Sequence, residues 1–202
     1  MDVKKAIDAI KNGQIVIVAD DDQRENEGDL IMAAELITKE QVNFMVSEAR
    51  GLMCVSLTPD RCKELGLDPM VEQNTSTNST QFTVSVDLIA DDVSTGISAY
   101  DRMKTIRALV DPTTKPHQLG RPGHIFPLIA HPGGVLERPG HTEAAIQLCQ
   151  LAGLKAGAVL IEIMNTDGSM SRYDDLIKFS EKHHLELITV KQLQYYLKTS
   201  QG

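Results

Sequence analysis

Ile15-Val16-Ile17-Val18-Ala19-Asp20-Asp21-Asp22-Gln23-Arg24-Glu25-Asn26-Glu27-Gly28-Asp29-Leu30-Ile31-Met32-Ala33-Ala34 is the stretch from which the rest of the chain can be read. Its two apolar runs are short enough to be buried strands, placed at residues 14–19 and 29–35. Six of the ten residues 20–29 are acidic, and Arg24 is the only basic one among them. Carboxylates crowded onto a loop at a sheet end repel one another. Hard divalent cations, whose preferred ligands are carboxylate oxygens, would offset that repulsion. A solvated acidic turn is the plainer alternative.

Working outward, Val3, Ala6, Ile7 and Ile10 recur at helical spacing before Gly13, which predicts a helix over 2–12. Thr38 to Gln41 has the form of a capping box and opens a helix expected to run to Arg50, with Gly51 behind it. Leu52–Leu57 reads as a buried strand, and Thr58-Pro59 starts a short helix ending near Gly66. Residues 68–81 are polar and aperiodic, a long surface loop of the kind that often carries function. Phe82–Val86 alternates as a strand does. Ser98 and Asp101 form a cap-like pair ahead of a helix whose buried face is Met103, Ile106, Leu109 and Val110.

Pro112, Pro116, Pro122, Pro127, Pro132 and Pro139 then punctuate residues 111–140, fixing backbone geometry and arguing against a flexible linker. Within that stretch, His124–Ala130 reads as a strand, at a sheet edge because of its proline. A helix opens at His141 and stops at Gly153. Ala158–Ile163 is a core strand, and a helix over 173–182, a strand over 185–189 and a C-terminal helix from about 190 follow. Helices and strands alternate, yet the connections vary in length and two early strands are joined by a loop alone. The expected fold is α/β (α+β): a three-layer single domain over 1–202, with a mixed β-sheet flanked by helices on both faces.

Bulk properties exclude several classes. A length of 202 residues with 42% hydrophobic and 24% charged is ordinary for one globular domain. The net charge of -8 argues against sequence-independent nucleic-acid binding, which needs a basic face. No apolar run is long enough to cross a bilayer, and the N-terminus lacks the apolar region of a signal peptide. Cys54, Cys62 and Cys149 show no metal-ligand spacing and read as reduced thiols of a cytoplasmic protein.

Three features carry chemistry. His117, His124, His131 and His141 cluster among glycines and prolines, which favours at least one functional histidine without saying which. Arg138-Pro139-Gly140-His141-Thr142 could form a phosphate site, with a bidentate guanidinium, a hydroxyl and a helix N-terminus together. The same residues could equally be a helix cap behind a surface arginine. Glu162, a lone carboxylate in a core strand, is either salt-bridged, turned to solvent at an edge, or held in a cleft with a shifted pKa.

Four separated motifs, in order, make the chain resemble the 3,4-dihydroxy-2-butanone 4-phosphate synthases over nearly its whole length. They are Arg24-Glu25-Asn26-Glu27-Gly28-Asp29, Ser94-Thr95-Gly96-Ile97-Ser98-Ala99-Tyr100-Asp101-Arg102, Arg121-Pro122-Gly123-His124-Ile125-Phe126-Pro127-Leu128 and Arg138-Pro139-Gly140-His141-Thr142-Glu143-Ala144. Ser94, where a threonine is common, is a conservative departure. The resemblance implies a lyase of riboflavin biosynthesis that converts ribulose 5-phosphate to 3,4-dihydroxy-2-butanone 4-phosphate and formate. It further implies a homodimer with sites near the interface and a requirement for Mg2+ or Mn2+, two ions per site.

By resemblance, Glu25 and His141 are metal ligands, and Arg24, Glu25, Asp29, Arg138 and Thr142 contact substrate. His124 and Glu162 match essential positions and are assigned proton transfer, with Asp29 a third candidate base. Thr95, Ser98 and Asp101 are weaker candidates for substrate or active-site-loop roles. Many relatives fuse this domain to a GTP cyclohydrolase. No cysteine cluster for that enzyme's zinc is present, so the chain is expected to carry only the synthase half. A metal-dependent aldolase or isomerase could use the same residues, and a non-catalytic binding module is the reading from another class.

Overall fold

The computed structural model describes residues 2–200, so the outermost residues of the expected 1–202 domain lie outside the described residues. Helix α1 (Val3–Lys11) buries Val3, Ala6, Ile7 and Ile10, the positions its spacing selected. Strands β1 (Val16–Ala19) and β2 (Gly28–Ala33) are buried at every position, which requires cover on both faces. Helix α2 (Lys39–Phe44) starts on the expected capping box, with Thr38 and Gln41 bonded reciprocally. It then widens into a π-helical turn, Met45–Ala49, and closes on Arg50 in the left-handed conformation. The stop signal thus falls one residue before Gly51.

Strand β3 (Cys54–Leu57), helix α3 (Pro59–Glu64), strand β4 (Val86–Leu88) and helix α4 (Ala99–Val110) come next. Strand β5 (Leu119–Ile129), the short helix α5 (Gly134–Glu137) and helix α6 (His141–Leu151) lead to strand β6 (Gly157–Glu162). Helix α7 (Tyr173–His183), strand β7 (Glu186–Thr189) and helix α8 (Val190–Ser200) complete the order.

The seven strands form one mixed sheet in the order β4-β5-β3-β6-β2-β1-β7. β1 runs parallel to β7 and β3 parallel to β5, while the other neighbours are antiparallel. Alternation along the strands settles the layers. A Cβ at Gly28 would strike Leu176 of α7, and one at Gly157 would strike Val110 of α4. These positions therefore face one helical layer, and Asp29 and Glu162, each at odd spacing from them, face the other. The second layer holds α6, which packs against β2, β3 and β6.

Two expectations about the far end of the sheet change. Phe82–Val86 is not a continuous strand: Phe82 and Thr83 make isolated bridges to Leu128 and Pro69, and pairing with β5 begins at Val86. β5 is longer than expected and is not an edge, because β4 lies outside it. The β4 pairing reaches only as far as Ile125, so Pro127 faces the irregular segment. There it accepts through its carbonyl from the Thr83 N–H, and its missing N–H goes unasked.

Candidate active site

Antiparallel pairing of β2 with β6 sets Asp29 directly opposite Glu162, on the face that carries α6. The acidic loop ahead of β2 is held by Asp20, whose side chain is fully buried. Asp20 Oδ1 accepts from Glu27 N (2.9 Å), and Oδ2 accepts from Glu25 N (3.1 Å) and Arg24 Nη1 (2.9 Å). Arg24 also pairs with Glu25. Across the gap, Gly140 begins α6 with no side-chain cap, so His141 and Thr142 enter the site from the open end of the helix.

These elements enclose a cavity of about 120 Å³. Arg24, Glu25, Asp29, Arg138, His141, Thr142 and Glu162 all line it. Thr80 and Phe82 wall it from the long polar loop and its end, and Asn78 of that loop donates to Glu25 Oε1 (2.8 Å). Arg138 Nη2 donates to the Asn78 carbonyl at 3.2 Å. Glu162 Oε2 accepts from Leu52 N (2.8 Å). Of the three placements open for Glu162, the structure puts it in the cleft: it lines the cavity, is half-buried, lies off the sheet edge, and has no salt bridge among the described residues.

The electrostatics are unusual for so small a space. His141 Nδ1 lies 3.5 Å from Glu25 Oε2 and 3.9 Å from Asp29 Oδ1. The contact with His141, against the cost of burial and with help from Arg24, holds the Glu25 pKa down to about 2. Burial pushes the Asp29 carboxyl up to about 7; Glu162, Glu25 and Glu27 add to the rise and His141 opposes it. Burial works against the His141 charge as well. Asp29, Glu25 and Asp20 outweigh that, and the imidazole rises to about 9. Glu27 is raised by burial and by Glu25.

Two buried polar atoms here have no hydrogen-bond partner, Asp29 Oδ1 and His141 Nε2. Orphans of this kind are costly, and a bound ion or polar ligand would satisfy them. Ligand atoms of Asp20, Glu25 and His141 also come within 4.8 Å of one another. Asp20 is engaged by the loop it braces and Glu25 by Arg24 and Asn78, while His141 keeps a ring nitrogen without a partner. Carboxylate oxygen with imidazole nitrogen suits a divalent cation, and the residues fit the ion that the sequence motifs imply.

The other expected residues lie elsewhere. His124 is exposed on β5, clamped by Asp87, which accepts from its backbone N–H (2.9 Å) and contacts Nδ1 (2.6 Å). Thr95 and Ser98 are exposed, and Ser98 caps α4 by accepting from Asp101 N. Asp101 is buried and ties down residues 94–96, accepting from Ser94 Oγ (2.6 Å) and Gly96 N (3.2 Å). None of these four lines the cavity of its own chain. Sequence reading missed the brace Asp20, the wall residue Glu27 and the reach of Asn78. Only the length and polarity of loop 68–81 hinted at the last.

The family described as 3,4-dihydroxy-2-butanone 4-phosphate synthase matches residues 4–196. The riboflavin biosynthesis protein RibBA of Cytophaga hutchinsonii is 57% identical over 200 residues, covering 99% of this chain and 49% of that protein. A 3,4-dihydroxy-2-butanone 4-phosphate synthase of Helicobacter pylori is 54% identical over 196 residues, covering 96% of this chain and 56% of that protein. The chain thus spans about half the length of the curated relatives it matches. A crystal structure of a 3,4-dihydroxy-2-butanone 4-phosphate synthase in complex with two magnesium ions superposes with a TM-score of 0.95 at 41% identity, covering 100% of this chain and 99% of that one.

Proposed function

Because the chain belongs to the 3,4-dihydroxy-2-butanone 4-phosphate synthase family, we propose that its cavity converts D-ribulose 5-phosphate to L-3,4-dihydroxy-2-butanone 4-phosphate and formate, a step of riboflavin biosynthesis. One observation carries the reading: the acidic loop and the segment from Arg138 to Thr142, distant in sequence, meet in one cavity that contains two orphaned buried ligand atoms.

Glu25 and His141 would hold magnesium or manganese, two ions per site, a count supported by the relative whose crystal structure is in complex with two magnesium ions. When bound, such ions supply Lewis acidity to the sugar's oxygens and stabilise the negative charge of enediolates. Arg24, Arg138 and Thr142 orient the substrate, the last two at its phosphate. Asp29, with a pKa of about 7, is suited to exchanging a proton at neutral pH and serves as the first base. Glu162, across the strand pair from it, handles a second proton. Nδ1 of His124 faces Asp87, which leaves Nε2 for proton transfer. In the proposed homodimer His124 reaches the site of a second copy. Support comes from its absence from the cavity of its own chain and from Ile89 and Ile97, 62% and 52% exposed around edge strand β4. A cytoplasmic location is part of the same proposal, supported by three buried free cysteines.

The test is formate release from ribulose 5-phosphate with added magnesium, alongside the oligomeric state. Stoichiometric formate is expected from a dimer. A product with an unchanged carbon count would overturn the synthase reading in favour of an isomerase or aldolase. Mixing inactive His124→Ala and Arg138→Ala chains should restore partial activity; no restoration would sink the shared-site arrangement.

A further inference from the structure

Glu143 is a carboxylate, 1% exposed, that the reading above leaves without a task. It lies in the first turn of α6, and each of its oxygens is engaged. Oε1 accepts from the backbone N–H of His131 at 2.8 Å, and Oε2 accepts from Arg138 Nη1 at 2.6 Å. These two donors bracket residues 131–138, the segment containing α5 that carries Arg138 from β5 to α6. One side chain therefore pins both ends of the segment to the helix. The positive end of the helix lies beside this side chain and the Arg138 guanidinium opposite it.

Gly140 supplies an independent observation. A Cβ there would lie 2.6 Å from Arg138 Nη1, 2.9 Å from Glu143 Oε2 and 3.0 Å from Arg24 Nη2. Three charged groups converge where only a hydrogen atom fits. Two guanidinium groups this close repel one another unless an anion lies between or beside them, and Glu143 is the anion on the Arg138 side. Glu143 itself is set behind the cavity wall and does not line it.

We propose that Glu143 is a positioning residue for phosphate recognition. By engaging Nη1 of Arg138 it fixes the plane of that guanidinium, so that the donors not taken by Glu143 and loop 68–81 face the phosphate of a bound sugar phosphate, without touching the substrate itself. The inference rests on the reading that Arg138 meets the phosphate, and the experiment separates the two.

Competitive inhibition by inorganic phosphate, and KM and kcat for ribulose 5-phosphate, are measured at saturating magnesium for the full chain carrying Glu143→Gln, Arg138→Ala and both. Glu143→Gln is expected to weaken phosphate inhibition and raise KM about tenfold, on the scale of one charge-assisted hydrogen bond, with kcat falling less than about threefold. In the Arg138→Ala background the same change should add nothing, because its effect passes through that arginine. Glu143→Asp, which keeps the charge, should recover part of the loss. Unchanged phosphate inhibition in folded Glu143→Gln, or an equal loss with and without Arg138, overturns the inference. Unchanged inhibition in Arg138→Ala overturns instead the reading it rests on. Should Glu143→Gln not fold, Glu143→Asp takes its place: its shorter reach should weaken phosphate inhibition in part and only while Arg138 is present, and wild-type inhibition in that variant would equally overturn the inference.

Discussion

Replacement of Gly51 by alanine tests the placement of Glu162 without removing any polar group. A Cβ at Gly51 would lie 2.4 Å from the Glu162 carbonyl oxygen, 2.5 Å from its Oε2 and 2.7 Å from its backbone nitrogen. Two of these atoms belong to the backbone of β6 and cannot rotate aside. Restoring an ordinary carbon–oxygen contact of roughly 3.4 Å requires about 1 Å of separation. Pairing with Asp29 in β2 holds Glu162 on its other side, so the displacement falls on the Gly51–Leu52 backbone and on the carboxylate that Leu52 N–H binds. Overpacking of this kind costs about 1–3 kcal/mol. For a chain of this size that lowers Tm by roughly 2–12 °C, leaving the protein folded at 25 °C. A reacting group displaced by about 1 Å loses on the order of 10²-fold in rate. Formate release and a thermal melt on one preparation give both numbers. Wild-type Tm and wild-type kcat together would refute the close approach. A lowered Tm with kcat intact would refute the participation of Glu162 in the chemistry.

Three further outcomes follow from the same cavity. Glu162→Gln should abolish formate production while sugar phosphate still binds, which calorimetry checks; loss of binding would make Glu162 a substrate-holding residue instead. Glu25→Gln and His141→Ala should each weaken magnesium binding by at least about tenfold, read by titration calorimetry, and retention of wild-type metal dependence in both would remove them as ligands. Asp29→Asn should stabilise the metal-free chain at pH 8 but not at pH 4. The folded-state pKa of Asp29 is raised from 3.8 to about 7, so its contribution to stability is fully present below pH 4 and is lost as pH rises towards 7. Removing the ionised group then recovers up to roughly 4 kcal/mol, and denaturant melts with chelator at the two pH values measure the gap. An equal effect of the substitution at both would show that Asp29 ionises normally.

Legibility of the fold from sequence tracked how local the governing interactions are. The capping box at Thr38–Gln41, the buried stripe of α1 and Pro59 at the start of α3 are settled within a few residues, and each stands where the pattern put it. β5 shows the limit. Gly120-Arg121-Pro122-Gly123 carries every local sign of a turn, yet it is taken up as an irregularity within β5: β4 pairs with Leu119 and Gly120 and then, beyond Arg121–His124, with Ile125. Gly123 is a glycine of close approach: a Cβ there would lie 2.0 Å from the Val86 carbonyl carbon. Nothing local distinguishes that need from a turn glycine. The site divides in the same way. Seven expected residues share the cavity because they sit at strand and helix ends that the sheet brings together. Thr95, Ser98, Asp101 and His124 do not: Asp87 holds His124 at the surface of β5, and Ser98 and Asp101 are engaged in capping α4 and tying down residues 94–96.

Asp20 and Asp29 make the underlying point most sharply. They are the same residue type, bound the same acidic loop and are both buried, at 9% and 4% exposed. Asp20 receives two backbone N–H groups and a guanidinium, so its charge is spent on folding the loop. Asp29 sits one residue into β2, where antiparallel pairing with β1 and β6 takes up its backbone and supplies its Oδ1 with no donor. Its carboxyl is left with neighbouring acids and one imidazole. The carboxylate of Asp20 keeps little to offer a ligand, whereas Asp29, deprived of such donors, has a raised pKa and a free lone pair. The difference lies in where the turn ends and the ladder begins. The acidic loop can therefore be both scaffold and reagent: Asp20 stabilises the geometry in which Asp29 is held at a cost, and a substitution at Asp20 would be felt at Asp29 through the position of Glu25 and Glu27.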